Sequence, residues 1–130
     1  MIYEVDPEVV DKVLSEVNII SGTDDEYDIL IKKLEINTYE DLKLKYDFEM
    51  MLIKQGDRGA TLYDENGQCV YSPKEIKISH DTTGCGDTFN AGIILSMSKD
   101  IDSQRMLQKA VEMATQVAYE GFNLEKLKNI

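Results

Sequence analysis

The sequence predicts an α/β fold, because segments with strand character alternate with segments with helix character along the chain. A nearly continuous apolar run from Phe48 to Ile53 is typical of a parallel strand covered on both faces. Two short strand-like segments, Ala60 to Tyr63 and Gln68 to Tyr71, flank the hairpin signal Asn66-Gly67. At 130 residues the chain has the size of one domain, and we expect 1–130 to form a single domain.

Capping residues mark the predicted helix starts. Asp6-Pro7 supplies an N-cap and a first helical residue. Thr23 and Glu26 have the spacing of a capping box, and Thr38 is expected to cap a third, shorter helix. A long helix is predicted to begin near Asp102 and to end at Gly121. The apolar residues expected to face the core from the first helix and from the helix after residue 84 are Val9, Val10, Val13, Leu14, Val17, Phe89, Ile93, Ile94 and Met97.

Three further segments have strand character. Ile2 to Val5 is typical of a short buried strand, and Val17 to Ile20 predicts another, which we expect Ser21-Gly22 to end. Ile76 and Ile78 alternate with polar neighbours, which predicts a strand with one face in water.

Composition and charge exclude several classes of function. The formal net charge is −11, and such an acidic protein repels a polyanion, so we expect no nucleic-acid partner. The sequence contains neither an apolar run of bilayer length nor a secretory start, so we expect a cytoplasmic protein with no membrane partner. Cys69 and Cys85 lack metal-binding spacing, and we expect reduced thiols.

Gly84-Cys85-Gly86, between a predicted strand and a predicted helix, suits an anion site. Glycines let the backbone approach a phosphate, and the first turn of a helix offers N–H donors with partial positive charge. Asp87 follows directly, and a carboxylate there is a poor phosphate ligand but a good base for an attacking hydroxyl. The arrangement suits phosphoryl transfer to an alcohol. The alternative is that Asp87 only caps the helix and the glycines only turn the chain.

The longer string resembles the signature of PfkB-type, ribokinase-like carbohydrate kinases: Asp81-Thr82-Thr83-Gly84-Cys85-Gly86-Asp87-Thr88-Phe89, followed by Ala91-Gly92. Cys85 stands where alanine is usual, and it is small enough to leave the backbone donors in place. The resemblance implies a three-layer ribokinase-like αβα sheet, ATP and Mg²⁺ as cofactors, and a sugar as acceptor. It also implies that Asp87 is the catalytic base and that Gly84, Cys85 and Gly86 hold the γ-phosphate.

The resemblance extends to nucleotide-binding segments on both sides of this motif. Lys54 with the turn glycines Gly56 and Gly59 looks like the strand and turn that lie beside the nucleotide in the family. Gly121 looks like part of the loop near adenine, and Thr83 joins the expected cofactor-binding set. For Lys54, a plain strand end is an open alternative.

Two acidic residues match metal-linked positions of the family. Glu26 stands where members have a glutamate linked to magnesium and phosphate, although Thr23 replaces the family's asparagine. Closure of the capping box is an equal alternative role for Glu26. Asp81 and Thr83 match the border of a monovalent-cation site that some members use.

The resemblance covers only the second half of the family pattern, whose members are roughly twice this length and near the size at which one core stops growing. We therefore expect the C-terminal nucleotide-binding and catalytic part of a kinase, in a truncated gene product, a fragment or part of a split protein. Without a sugar pocket it should be inactive or weak alone. We also expect an exposed sheet edge and apolar surface, with self-association or an N-terminal half as candidate partners.

Two alternatives to a sugar kinase stay open at the level of sequence, and one further resemblance bears on the substrate. The chain could be a non-catalytic nucleotide- or anion-binding remnant, with the same motif. A kinase of hydroxymethyl-pyrimidine or vitamin type shares the broader fold, but the Asp81-Thr82-Thr83 start favours the sugar branch. Ala118-Tyr119-Glu120-Gly121-Phe122 and the threonine at Thr23 are similar to the fructoselysine-kinase branch.

Overall fold

A computed structural model describes residues 5–73, 84–121, 124–128 and 130. The helices are α1 (Pro7–Glu16), α2 (Asp24–Lys33), α3 (Tyr39–Tyr46), α4 (Cys85–Met97), α5 (Ser103–Glu120) and α6 (Leu124–Leu127). The strands are β1 (Ile19–Thr23), β2 (Met50–Lys54), β3 (Ala60–Asp64) and β4 (Gly67–Tyr71). The expected strand at Ile76 to Ile78 lies outside the described residues, as do Ile2 to Glu4. None of the helices in this part of the chain combines the length and the apolar character that crossing a membrane requires.

The described strands form one sheet in the order β1-β2-β3-β4. β1 and β2 pair in parallel, with Thr23 opposite Lys54 at their carboxyl ends. Only Glu65 and Asn66 separate β3 from β4, and a connection this short joins antiparallel strands. The N–H of Asn66 donates to Oδ1 of Asp64 at 2.8 Å and closes this turn. The predicted hairpin is therefore confirmed.

The prediction that Ser21-Gly22 ends the first strand is wrong, because β1 continues through both residues to Thr23. The parallel register places Gly22 opposite Ile53, so pairing with β2 overrides the local turn preference. A Cβ on Gly22 would already touch the Tyr27 ring, with 3.4 Å to Cε2. The glycine thus lets α2 pack closely on the end of β1.

The described residues divide into two compact units. The first comprises the chain up to Gln55 together with Leu62–Gln68, and the second comprises Gly56–Thr61 and the chain from Cys69 onward. The core of the first unit contains the buried residues Val10, Leu14, Tyr27, Leu30, Leu42, Phe48, Met51 and Ile53. Burial of the apolar run in β2 on both faces is as the sequence predicts, since Met51, Leu52 and Ile53 are all buried.

Side chains cap the three helix starts of the first unit, as the sequence predicts. Oδ1 of Asp6 accepts from the N–H of Glu8 at 2.9 Å. Oγ1 of Thr38 accepts from the N–H of Asp41 at 3.0 Å. At α2 the capping box is complete, because Thr23 and Glu26 each accept a hydrogen bond from the other's backbone N–H.

In the second unit α4 packs against α5, and Gly92 allows a close approach. A Cβ on Gly92 would lie 3.0 Å from Cα of Ala110 and 3.1 Å from Sδ of Met113. α5 begins where Oδ1 of Asp102 accepts from the N–H of Arg105 at 2.8 Å. It ends at Gly121, whose N–H donates to the carbonyl of Val117 at 2.8 Å. Both predicted bounds of this helix are confirmed.

The burial predicted for several apolar side chains of α1 and α4 is wrong. On α4, Phe89 and Ile93 are buried, but Ile94 is 66% exposed and Met97 46% exposed. Val9 and Val13 on α1 are also exposed, whereas Val10 and Leu14 are buried. On α4 the buried face includes the small residues Gly92 and Ser96, which the apolar pattern does not mark. The expected apolar surface is therefore present on α1 and α4.

Candidate active site

The start of α4 is formed by Gly84, whose φ of 90° lies in the left-handed region that favours glycine. The N–H of Thr88 donates to the carbonyl of Gly84 at 2.9 Å and closes the first turn. No side chain caps this helix by a hydrogen bond. A Cβ on Gly84 would meet no described atom beyond its chain neighbours within 4 Å. The first turn of such a helix offers amide donors of the kind that bind anions.

This helix start differs from the others that the structure describes. The four other helices of eight or more residues in the described ranges all begin with a side-chain cap, supplied by Asp6, Thr23, Thr38 and Asp102. A side-chain cap supplies from within the protein the acceptor that the first-turn amides need. At the start of α4 no side-chain cap supplies that acceptor, an arrangement that suits a phosphate oxygen.

Asp87 lies in the first turn of α4 and is exposed. Successive helix residues are about 100° apart, so Asp87 and Cys85 lie on nearly opposite sides of α4. Ala91 and Ile94 share the side of Asp87, and both are exposed. The candidate base therefore lies at the amino end of an exposed apolar face.

Thr88 is a site residue that the motif alone does not single out. Its side chain is buried, and its Oγ1 donates to the carbonyl of Gly84 at 2.7 Å. The carbonyl of Gly84 thus accepts from both the N–H and the hydroxyl of Thr88. A threonine four residues after a helix-starting glycine is the sequence pattern that indicates this support.

In the first unit, Glu26 and Lys54 adjoin the same residue. Lys54 pairs with Thr23 in the register of β1 and β2, and Oε1 of Glu26 accepts from the N–H of Thr23 at 2.9 Å. Both lie where two parallel strands end, the usual edge for ligands in α/β sheets. The capping role of Glu26 is confirmed, and its contact with a metal stays a prediction.

Gly56 and Gly59 lie in the turn between β2 and β3, and Gly59 donates its N–H to the carbonyl of Gly56 at 3.2 Å. Gly59 has φ of 98°, and a Cβ there would lie 2.0 Å from the carbonyl oxygen of Tyr71. No side chain fits at this position. Packing alone therefore requires Gly59 to be glycine, whatever the turn binds.

The remaining predicted positions are distributed as follows. Gly121 ends α5 with φ of 77°, in the second unit with the start of α4. Asp81 and Thr83 lie outside the described residues. Among the residues that are described, no group of three or more His, Cys, Asp or Glu side chains is placed to hold a metal ion. A magnesium ion that arrives on nucleotide phosphates needs only one or two protein carboxylates.

The fold matches solved kinases. A nucleoside kinase from Burkholderia thailandensis in its ligand-free form superposes with a TM-score of 0.82 at 17% sequence identity, and the match covers 98% of this chain and 43% of that one. The structure therefore has the ribokinase-like fold that the motif predicts.

The sequence places the chain within one family of this fold. The pattern described as pfkB family carbohydrate kinase matches residues 4–121, and the chain belongs to this family. It is 34% identical over 83 residues to the bifunctional protein HldE of Aliarcobacter butzleri (strain RM4018), a match covering 64% of this chain and 16% of that protein. It is 25% identical over 124 residues to the 5-dehydro-2-deoxygluconokinase of Lacticaseibacillus casei, covering 91% of this chain and 37% of that protein. The chain thus spans less than two fifths of the length of either relative.

Proposed function

We propose that this chain carries the phosphate-binding and catalytic part of an ATP-dependent kinase, which phosphorylates a hydroxymethyl group of a sugar or sugar derivative. The observation that carries the proposal is the start of α4: a left-handed glycine without a side-chain cap, followed by an exposed aspartate. Family membership supports the same reaction class. Because ATP is an intracellular substrate, the proposal also assigns the protein to the cytoplasm.

In this proposal Gly84, Cys85 and Gly86 bring backbone donors to the γ-phosphate. Fixed N–H dipoles stabilise the charge on the transferring group without reorganising. Asp87 takes the proton of the acceptor hydroxyl, because a carboxylate beside the phosphate site can reach an attacking oxygen without binding the phosphate itself. Lys54, Gly56, Gly59, Thr83 and Gly121 form the proposed nucleotide-binding set.

Magnesium, when bound to the nucleotide, neutralises negative charge on the phosphates. Glu26 is the proposed protein contact. Its Oε1 is engaged by the N–H of Thr23, so Oε2 is the atom that would accept from a metal-bound water. Asp81 is the second proposed metal-linked residue, with Thr83 beside a monovalent cation.

The exposed apolar face of α4 supports the proposal that the complete enzyme has a further part, which covers this face. Asp87 shares this face with Ile94, which is 66% exposed. An acceptor pocket must reach Asp87 from this side, and burial of the apolar residues there would stabilise its attachment. We propose that an N-terminal half of the fold, or a second copy of the chain, covers the face. The isolated chain is then inactive or weak.

The test is to compare Asp87→Asn with the wild-type chain in Mg-ATP binding and in phosphate transfer to a panel of sugars. The matched control is Asp41→Asn, an exposed first-turn acid of α3. We expect Asp87→Asn to bind Mg-ATP as the wild type does while transfer falls about 10²- to 10⁴-fold. Calorimetry measures binding, and ADP release measures transfer, with the N-terminal half of the fold added where the chain alone is too weak.

Two results would contradict the proposal. Transfer that survives Asp87→Asn at the rate of the Asp41→Asn control would remove Asp87 from the mechanism. Rapid turnover by the isolated chain would contradict the proposed need for an additional part.

The second candidate function is a non-catalytic nucleotide-binding remnant, or one half of a split kinase. The exposure of Ile94, which lies on the same side of α4 as Asp87, favours it, because the described residues leave this apolar side chain uncovered. A remnant binds Mg-ATP and shows no transfer in any combination of parts, so Asp87→Asn has no transfer to remove. A split kinase gains transfer when the other half is added.

A further inference from the structure

A small apolar cluster lies against the first turn of α4. Met113 and Val117 of α5 and Leu127 of α6 form it, with exposures of 9%, 1% and 6%. Cys85 and Ile130 pack against these three side chains. The side chain of the first residue of α4 therefore packs against a cluster to which both α5 and α6 contribute.

Leu127 is buried although it lies in a very short helix. α6 contains four residues, and so short a helix is not stable without tertiary packing. Among the α6 side chains that the structure describes, Leu127 supplies such packing, because it is buried in the cluster with Met113 and Val117 of α5. α6 also lies beyond residue 121, where the match to the family ends.

The packing of Cys85 against the cluster bears on how the start of α4 is oriented. Cys85 and Asp87 are two residues apart, so a Cys85 side chain directed into the cluster turns Asp87 about 200° away from it. The glycines on both sides of Cys85 have no side chains with which to fix this rotation. The packing of Cys85 against the cluster therefore opposes rotation and fraying of the first turn, in addition to the two hydrogen bonds from Thr88 to Gly84.

We propose that Leu127 and Cys85 are positioning residues, through which α6 holds the first turn of α4 in the orientation that presents its amides to a phosphate and Asp87 to an acceptor. This inference rests on the proposed function for the identity of the ligand. Its structural half, that α6 restrains the first turn, is independent of any ligand.

The decisive variant is Leu127→Ala, with Leu14→Ala as its matched control. Leu14 is buried to nearly the same extent, at 7% exposure, but it lies in the core of the first unit. The first readout is the rate at which N-ethylmaleimide alkylates Cys85, followed by peptide mass spectrometry with Cys69 as the internal reference. The second is the dissociation constant for Mg-ATP, measured by calorimetry at a temperature at which both variants are folded.

We expect Leu127→Ala to raise the alkylation rate of Cys85 about tenfold relative to Cys69, because local opening exposes the thiol more often. We expect it to weaken Mg-ATP binding about tenfold, because donors that are not held in place must be ordered by the ligand. Leu14→Ala should change neither quantity more than about twofold. Leu127→Met, which nearly conserves volume, should restore both.

The outcomes separate this inference from the proposed function. Unchanged alkylation of Cys85 in Leu127→Ala overturns the restraint by α6. Faster alkylation with unchanged Mg-ATP affinity overturns its role in presenting the amides. If the wild-type chain does not bind Mg-ATP, the proposed function and the presentation of amides to phosphate both fail, and the alkylation ratio alone decides whether α6 restrains α4.

Discussion

The starts of α2 and α4 both contain acidic residues that match functional positions of the family, yet they are built in opposite ways. At α2, Oγ1 of Thr23 accepts from the N–H of Glu26 at 3.2 Å, and the Glu26 carboxylate bonds back to the N–H of Thr23. At α4, Gly84 has no side chain, and Asp87 is exposed in the first turn. The carboxylate of Glu26 is hydrogen-bonded within its own helix start, whereas Asp87 faces solvent.

The difference shows how a structural acid can be told from a candidate base. A carboxylate that closes a capping box contributes to helix stability, and removing it should cost stability first. A carboxylate in the first turn of a helix without a side-chain cap gains the modest attraction of the helix dipole, so removing it should cost ligand chemistry first. Measuring the free energy of unfolding and the ligand affinity of variants at both helix starts therefore tests the role assigned to each acid.

The largest effect is expected for Gly84→Asp, which places a carboxylate where the phosphate would bind. We expect Mg-ATP affinity to fall at least about a hundredfold, because like charges repel at short range. Gly84→Asn is the matched control, since asparagine has the same shape and tolerates the left-handed backbone. Calorimetry should separate the two variants. An affinity of Gly84→Asp equal to that of the wild type would show that no anion binds at α4.

Removal of the α2 cap should have the next largest effect. We expect Thr23→Ala to lower the free energy of unfolding by about 1 kcal/mol and to leave Mg-ATP affinity unchanged. Asp102→Ala, the equivalent change at α5, serves as the control and should cost a similar amount. Urea denaturation measures both losses. A loss of nucleotide affinity confined to Thr23→Ala would move the start of α2 into the ligand site.

A smaller effect is expected for Glu26→Gln, because glutamine can still close the capping box while losing the charge. If Glu26 contacts magnesium through water, Mg-ATP affinity should weaken about threefold while binding of metal-free ATP stays the same. Titration of ATP with and without Mg²⁺ measures this difference. An identical dependence on magnesium in both proteins would leave Glu26 with its capping role alone.

The smallest effect concerns alkaline pH in the unit that contains α2. Burial, together with a 2.6 Å hydrogen bond to Asp11, raises the pKa of Tyr46 to about 12. The folded state thus favours the protonated phenol, so this stabilisation is complete below the unfolded pKa of about 10 and is lost as pH rises toward 12. Between pH 9 and pH 11 the free energy of unfolding should therefore fall less for Tyr46→Phe than for the wild type. Urea denaturation at each pH measures this difference.

Local signals predicted much of the fold, and long-range packing explains the failures. The caps at Asp6, Thr23 and Thr38 depend on neighbouring residues alone, so the sequence was sufficient for them. The end of β1 depends on pairing with β2, which carries the strand through Gly22. On α4 the buried face follows contact with α5 at Gly92, and no apolar pattern marks a glycine as buried.

The candidate site was predictable only in part for a similar reason. Gly84 and Asp87 belong to one continuous motif, and the structure places them together at a helix start. The support that Thr88 gives to Gly84 follows from spacing and could have been inferred. The packing of Leu127 against α5, with Cys85 alongside, joins residues about forty positions apart through an unpredicted helix, and only tertiary packing could reveal it.

The β3–β4 hairpin has a consequence for experimental labelling of the protein. At its base, Gly59 fits against Tyr71 without room for a side chain, and Oγ of Ser72 donates to the carbonyl of Arg58 at 2.8 Å. At its tip, Gly67 is exposed, and a Cβ there would meet nothing within 4 Å. A peptide tag or fluorophore inserted between Asn66 and Gly67 should be tolerated, because the base holds the two strands in register without help from the tip.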